Sequence, residues 1–452
     1  MGISRVQLVP WSQRPSMSVS HSPPLPYCCP GETQPISQAV HLGRLATFYP
    51  ACRSCPHAQD TGTLSPRVVR QIAATQRRAR RATLFHDEGI AGAFLNEVGP
   101  AETRRAATAL ALLLRREAAS DQRLEMVLGC DGRPIAAEIS AAASEALRQA
   151  GCNVLDIGFT TAGVLADSIG RLAGQGGIYI GRGDGGPQQI ALSFFGQQAI
   201  PWSAGGGLDQ LSRMWHAGFD RPSRSSGTIR RHRAEAAVQA ELTPHFHALR
   251  PLRLVLDTAS LPLRRQLCRL AQRVSLEIID LADPVVRAAN SVAWASSPCT
   301  TPDPLQRISD RIVATSAHFG LWIDGDGVRC RLFDEQGGEV PAQRLAAVLL
   351  RHFHDQSPDA TLVVQSGAAP AVRAASNGNT LVETTSATRE SFARTMLASG
   401  AVAGADLQGR GWFGGAVPVA CALRTVAVLL TILSHSDRRA SEVLVDGLVT
   451  AK

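Results

Sequence analysis

The chain has 452 residues, of which 44% are hydrophobic and 19% charged, and it carries a net charge of +8. That length predicts several domains with sizeable cores, and the apolar fraction is that of a globular protein. No apolar run reaches the roughly 18 residues of a membrane helix, and residues 1–26, rich in Ser and Pro, lack the apolar core of a signal peptide. The expectation is therefore a cytoplasmic protein with no membrane partner.

The basic balance is carried by arginine, and the single lysine is Lys452. Charges of both signs are mixed along most of the chain, so the bias reads as genome composition and nucleic acid is not an expected partner. Ten cysteines in a chain this long do not make a disulfide framework. Cys130, Cys152, Cys268, Cys330 and Cys421 sit singly in apolar segments and read as small core residues.

The first 38 or so residues have the composition of a disordered arm. A compact patch follows, in which Cys52-x-x-Cys55 precedes His57. This is half of a zinc site; Cys28 or Cys29 upstream, or His41, could complete four ligands. The competing reading is a set of unbound thiols. A basic helix is expected over about 66–82, with Arg77, Arg78, Arg80 and Arg81.

From residue 83 helix and strand patterns alternate, which predicts α/β layers. Helices are expected over 102–117, 136–151 and 161–173. Strands are expected over 124–128, 153–157 and 177–180, then across 187–195. A second unit starts with a strand at 252–257 and closes around Gly320-Leu-Trp-Ile-Asp-Gly-Asp-Gly-Val-Arg329. There an apolar strand stops at Asp324 and Asp326, and the intervening glycines let both carboxylates reach one point. Two hard oxygen ligands with Arg329 behind them suit a divalent cation and an anionic substrate. An ordinary Asp-Gly turn between two strands explains the same spacing. A third unit carries strands at 361–365 and 381–384, the stretch Gly404-Ala-Asp406-Leu-Gln-Gly409, and a helix over 418–435.

This series resembles the phosphohexomutases, the phosphoglucomutase and phosphomannomutase family, over residues 83–440. The family's Asp-Gly-Asp-x-Asp-Arg magnesium loop is similar to Asp324, Gly325, Asp326, Gly327 and Arg329, with Val328 at the third carboxylate. Its Gly-x-Asp-x-Arg turn is similar to Gly129, Asp131 and Arg133, its Gly-Ile-Arg-Gly motif to Gly89-Ile-Ala-Gly92, and its sugar loop to Gly404–Gly409. The resemblance implies three consecutive phosphohexomutase-like α/β/α domains with mixed sheets, preceded by the disordered, Cys-containing arm. The expected boundaries are 1–82 for the arm, then 83–228, 229–338 and 339–452. The family's fourth, phosphate-gripping domain would begin after about residue 440, so the resemblance is to a member lacking it.

The resemblance also implies site roles: Asp324 and Asp326 as a degenerate magnesium site, weak or lost, and Arg329, Asp406 and Arg133 as substrate-binding residues. The family's phosphoserine follows a Gly-Ile-x-Ile strand; aligned on Gly177-Ile-Tyr-Ile180, its place falls on Gly183. Glycine offers no hydroxyl to carry a phosphoryl group, and the next serine, Ser193, lies inside the following strand. The implied protein is a pseudoenzyme that keeps sugar-phosphate or protein-partner binding. Two alternatives stay open: an active phosphohexomutase with Asp184 as relocated carrier, and an interaction module acting through a zinc-binding Cys patch. The glycines of Gly181-Arg-Gly183-Asp-Gly-Gly186 match a dinucleotide fingerprint, but a strand rather than a helix is expected after them. Restoring a carboxylate at Val328 would, on this reading, strengthen magnesium binding.

Overall fold

The computed structural model describes residues 27–446, apart from 30–33, 48, 50–51, 53–54, 82–83, 119–122, 184–187, 220–222, 224, 248, 283–303, 376–379 and 387, and apart from the side chains of 74–81, 304, 375 and 445–446. The chain divides into two compact units, Met1–Ala82 and Thr83–Lys452. No helix among the described residues is long and apolar enough to cross a membrane.

In the first unit Ser37 caps the helix Gln38–Ala46, its hydroxyl accepting from the Val40 N–H at 3.4 Å. The basic stretch forms the helix Pro66–Arg81. Leu42, Leu45, Cys52 and Ile72 make one small apolar cluster, while Cys29, Cys55 and Ala58 make another. A few residues of the expected 38-residue arm fall within the described residues. Tyr27 and Ile36 pair through two backbone hydrogen bonds of 2.9 and 2.8 Å, which apolar packing of both side chains against the Cys29 cluster supports. Residues 1–26 lie outside the described residues.

The second unit holds three mixed sheets. The first is built from β1 (Phe85–His86), β2 (Gly89–Ala93), β3 (Glu125–Cys130), β4 (Asn153–Phe159), β5 (Gly176–Gly181), β6 (Gln189–Phe195) and β7 (Ile229–Arg231), in the order β1-β2-β6-β5-β3-β4-β7. The second, β12-β11-β10-β8-β9, uses β8 (Leu252–Thr258), β9 (Leu276–Asp280), β10 (Phe319–Ile323), β11 (Cys330–Phe333) and β12 (Glu339–Val340). The third, β14-β13-β15-β16-β17, uses β13 (Leu362–Gln365), β14 (Leu381–Thr384), β15 (Ala403–Ala405), β16 (Gly411–Phe413) and β17 (Val419–Ala420).

Two expected boundaries shift. β7 pairs in parallel with β4, so Ile229–Arg231 closes the first sheet rather than opening the second domain. β12 pairs with β11, so Glu339–Val340 belongs to the second sheet. Both are short edge strands, whose partner is set by main-chain pairing and not by side-chain pattern.

One motif recurs in all three sheets. A buried strand pairs in parallel with an earlier strand on one side and turns into an antiparallel hairpin on the other. These hairpins are β5–β6, β10–β11 and β15–β16. The helices between strands follow from local chemistry. Pro100–Glu117 begins with Pro in its first turn, where no N–H is lost, and the Glu102 carboxylate accepts from the Gly99 N–H at 3.0 Å. Ala422–Ser434 is apolar on nearly all sides and is buried accordingly. Its Leu423, Val426 and Leu430 share one core with Val164 and Leu165 of the first domain and Leu263 and Phe319 of the second. That shared core fixes the three sheets relative to one another.

Candidate functional site

Residues 182–183 after β5 and the hairpin loops at 324–329 and 406–410 meet at a cleft of about 910 Å³. Arg182, Gly183, Asp324, Arg329 and Gln408 line it, with Trp322 and Arg331 from the second sheet. Loops at equivalent ends of three sheets converge because each follows the same buried strand.

Asp326 reaches across to the first loop. Its Oδ1 accepts from the Arg182 and Gly183 N–H groups, each at 3.2 Å. Gly181 must be glycine for this approach, since a Cβ there would run into the Asp326 carboxylate. Gly183 adopts a left-handed φ of 57°. Asp324 Oδ1 accepts from the Val328 N–H at 2.8 Å, and its Oδ2 lies 3.3 Å from Arg329 Nε. Burial pushes both carboxyls up; Asp326, which also feels the charge of Asp324, reaches about 7.

Val328 carries no ligand atom, and its side chain packs in the apolar cluster of Val363, Phe392, Trp412 and Ala420. The Arg182 stem lies against Gly325, between the two aspartates. Magnesium asks for near-octahedral oxygen at about 2.0–2.1 Å. Two carboxylates already bonded to amides and Arg329, beside an apolar third position, do not fit that demand. The expectation that a carboxylate at 328 would complete the site meets a side chain seated in a hydrophobic core.

The other expected site residues are built into the scaffold. Arg133 Nε pairs with Asp131 Oδ2 at 2.6 Å, while its Nη1 and Nη2 donate to the carbonyls of Gln189 and Gly181 at 2.8 and 2.9 Å. It pins the ends of β5 and β6, the strands that carry the first loop. Asp406 is buried; its Oδ1 accepts from the Gln408 and Arg410 N–H groups at 2.9 and 3.0 Å. Its Oδ2 accepts from Arg410 Nη1 at 3.2 Å and Trp412 Nε1 at 3.3 Å. Ser193 sits within β6, directly opposite Tyr179. Asp184 lies outside the described residues.

Three charged residues wired to the third loop, none of them lining the cleft, carry no local sequence signal. Glu88, before β2, binds Arg410 and lies 3.3 Å from Arg389 Nε; Arg389 also donates to the Glu88 carbonyl at 2.9 Å. Burial pushes the Glu88 carboxyl up, but Arg389, Arg410 and Arg329 outweigh it and hold the carboxyl below its ordinary value. Tyr179 adds a buried hydroxyl with no hydrogen-bond partner among the described atoms. Burial and the neighbouring Asp326 push its pKa well up, so the phenol stays protonated and is a poor nucleophile.

The fold and cleft define a multi-domain α/β protein with its site at three converging hairpin loops. The family model for phosphoglucomutase/phosphomannomutase, alpha/beta/alpha domain I, matches residues 82–200. Among curated proteins, a phosphomannomutase of Salmonella montevideo is 24% identical over 256 residues, 53% of this chain and 54% of that protein. The chain thus spans about half the length of the phosphomannomutases it matches. A phosphoglucosamine mutase of Symbiobacterium thermophilum is 26% identical over 365 residues, covering 78% of this chain and 79% of that protein. A solved phosphoglucomutase/phosphomannomutase family protein of Burkholderia thailandensis superposes with a TM-score of 0.66 at 19% identity, covering 82% of this chain and 80% of its own. Parafusin, a phosphoglucomutase of Paramecium, gives a TM-score of 0.58 at 14% identity over 80% and 73% of the two chains; these two likenesses show the fold. Residues 82–200 thus resemble domain I of the phosphoglucomutase/phosphomannomutase family, and the chain as a whole shares the fold of solved members of that family.

Proposed function

We propose that this chain is a catalytically silent phosphohexomutase relative whose cleft binds a sugar phosphate without transferring its phosphoryl group. The observation that carries this reading is the loop after β5. Gly183 stands where the family resemblance puts the phosphoserine, and its N–H is tied to Asp326. Transfer through the enzyme needs a P–O bond to a protein atom, and neither Gly183 nor the protonated Tyr179 supplies a competent one. Losing a nucleophile costs on the order of 10⁶ in rate, about 8 kcal/mol of barrier.

Binding has better support. The cleft of about 910 Å³ has room for a phosphorylated hexose and presents Arg182, Arg307, Arg329 and Arg331 along its lining. Guanidinium groups match phosphate oxygens in geometry as well as charge. Trp322, half-buried at the same wall, offers an apolar face for a sugar ring.

The test pairs calorimetry with glucose 6-phosphate against a coupled mutase assay with glucose 1-phosphate, magnesium and glucose 1,6-bisphosphate. Saturable binding without turnover is the expected result. Turnover would overturn the reading, and a labelled phosphoryl group trapped on Asp184 would replace it with a relocated carrier.

A further inference from the structure

We infer that Cys29, Cys52, Cys55 and Nδ1 of His41 form a structural zinc site that staples the N-terminal unit. Around a tetrahedral zinc with bonds of about 2.3 Å to sulfur and 2.0–2.1 Å to nitrogen, two sulfurs stand about 3.8 Å apart and a sulfur and a nitrogen about 3.6 Å. Cys29 Sγ lies 3.7 Å from Cys55 Sγ and 3.6 Å from His41 Nδ1. A disulfide would need its sulfurs at about 2.05 Å.

The histidine is oriented as a ligand. His41 is fully buried, and its Nε2 lies 3.1 Å from the Asp60 carbonyl oxygen. Only a protonated Nε2 can donate there, which leaves the lone pair on Nδ1 facing Cys29. A ring nitrogen donating to a backbone carbonyl is the outer support that metal-bound histidines use. Tyr27 stacks on the same ring at 4.3 Å between centroids and hydrogen-bonds Asp60, which fixes the plane.

Cys52 supplies the fourth donor. It is buried, and the Cys55 N–H donates to the Cys52 carbonyl at 3.4 Å, the tight turn that a Cys-x-x-Cys pair needs. Among the described residues no three such side chains yet surround a single ion position. Binding of the ion would draw the four donors together, with Cys52 brought beside Cys55 by the turn they share. Cys28, the adjacent residue, is exposed and takes no part. Three thiolates and an imidazole are a donor set suited to zinc.

The need for a staple follows from the packing. Among the described residues, the two apolar clusters of this unit hold four and three buried residues. Cores of that size supply little stability, and small units of this kind commonly draw folding energy from a metal.

The test uses the full chain purified without chelator. Elemental analysis is expected to find one zinc per chain, lost in Cys29→Ser and His41→Ala but retained in Cys28→Ser. Cobalt substitution is expected to give the visible bands of a tetrahedral thiolate site, altered by His41→Ala. Should the variants fail to fold, the unaltered chain still decides: a strong chelator is expected to expose three additional reactive thiols. No stoichiometric zinc under reducing conditions, iron with sulfide in its place, zinc retained by His41→Ala with an unchanged cobalt spectrum, no thiols released by chelator, or a Cys29–Cys55 disulfide in a peptide map would each overturn the assignment.

Discussion

Val328→Asp asks whether the β10–β11 loop can still hold a third metal ligand. The Val328 side chain is 6% exposed and packs with Phe392, Trp412 and Ala420, while its N–H serves Asp324. Removing it forfeits about 1.5–3 kcal/mol of apolar burial. The new carboxyl sits near Asp324 and Asp326 and is driven to its neutral form, at about 1–3 kcal/mol for an unsatisfied buried polar group. Arg389 lines the same small cavity, but it is already committed to Glu88. The expected sum is a loss of about 2.5–6 kcal/mol. Urea unfolding at neutral pH, with and without millimolar magnesium, measures it: the midpoint falls, the slope holds, and magnesium changes neither. An unchanged midpoint would mean the side chain turns out of the core. Stabilisation by magnesium would mean three carboxylates converge after all, since an ion at a hundred times its Kd adds about 2.7 kcal/mol.

Gly183→Ser is expected to cost about 1–2 kcal/mol, because the left-handed φ disfavours a side chain and its Cβ would lie 3.2 Å from Ala191 Cβ. It should restore no mutase activity; a melting curve and the coupled assay check both, and turnover would refute the silent-site reading. Glu88→Gln leaves Arg389 and Arg410 short of an anion and is expected to cost about 3 kcal/mol in a denaturation experiment. The same change tests pH dependence. Because the folded Glu88 carboxyl titrates below its unfolded value, its contribution is present above about pH 4.3 and is lost as pH falls through the lowered folded value. The variant should therefore unfold with a shallower acid limb, and an unchanged limb would count against the network. Arg331→Ala removes a half-exposed cleft guanidinium whose pairing with Glu339 at 3.4 Å contributes little to stability. It is expected to weaken glucose 6-phosphate binding about tenfold with no shift in melting, as for one charge-assisted contact.

The three-sheet architecture was legible because each domain repeats the same local grammar. An apolar strand ending in Gly or Asp, followed by a hairpin, recurs at Gly181, Asp324 and Asp406, and all three loops reach one cleft. The edge strands β7 and β12 were not, since three and two residues carry no usable periodicity. Arg133 and Asp406 could be located from motif spacing, but their roles could not. Whether a guanidinium faces a ligand or two carbonyls depends on where β6 returns, and the sequence near Arg133 does not encode that. Glu88, Arg389 and Arg410 escaped altogether. Their contacts join residues separated by 301 and 322 positions, and an arginine after a helix cap looks like any solvated one.

Those unforeseen residues tie the third loop into the scaffold. Arg410 is 1% exposed and satisfies both Asp406 and Glu88, so the third loop is tied to the first domain by charge. Glu390, next to Arg389, adds a second tie by accepting from the Ser203 and Gly207 N–H groups at 3.0 and 2.9 Å. The second loop is joined to its neighbours through main-chain bonds as well: the Cys330 N–H donates to the Gly409 carbonyl at 2.9 Å and the Ala422 N–H to the Gly327 carbonyl at 3.0 Å. Breaking one partner out of such a buried set typically costs 3–5 kcal/mol. On the proposed reading, the second and third loops tied in this way would present fixed groups to a ligand, and rearranging them would cost comparable energy. Preorganised charge of that kind favours recognition at little conformational cost. The wiring of Glu88, Arg410 and Asp406 is therefore compatible with the binding role proposed for the cleft.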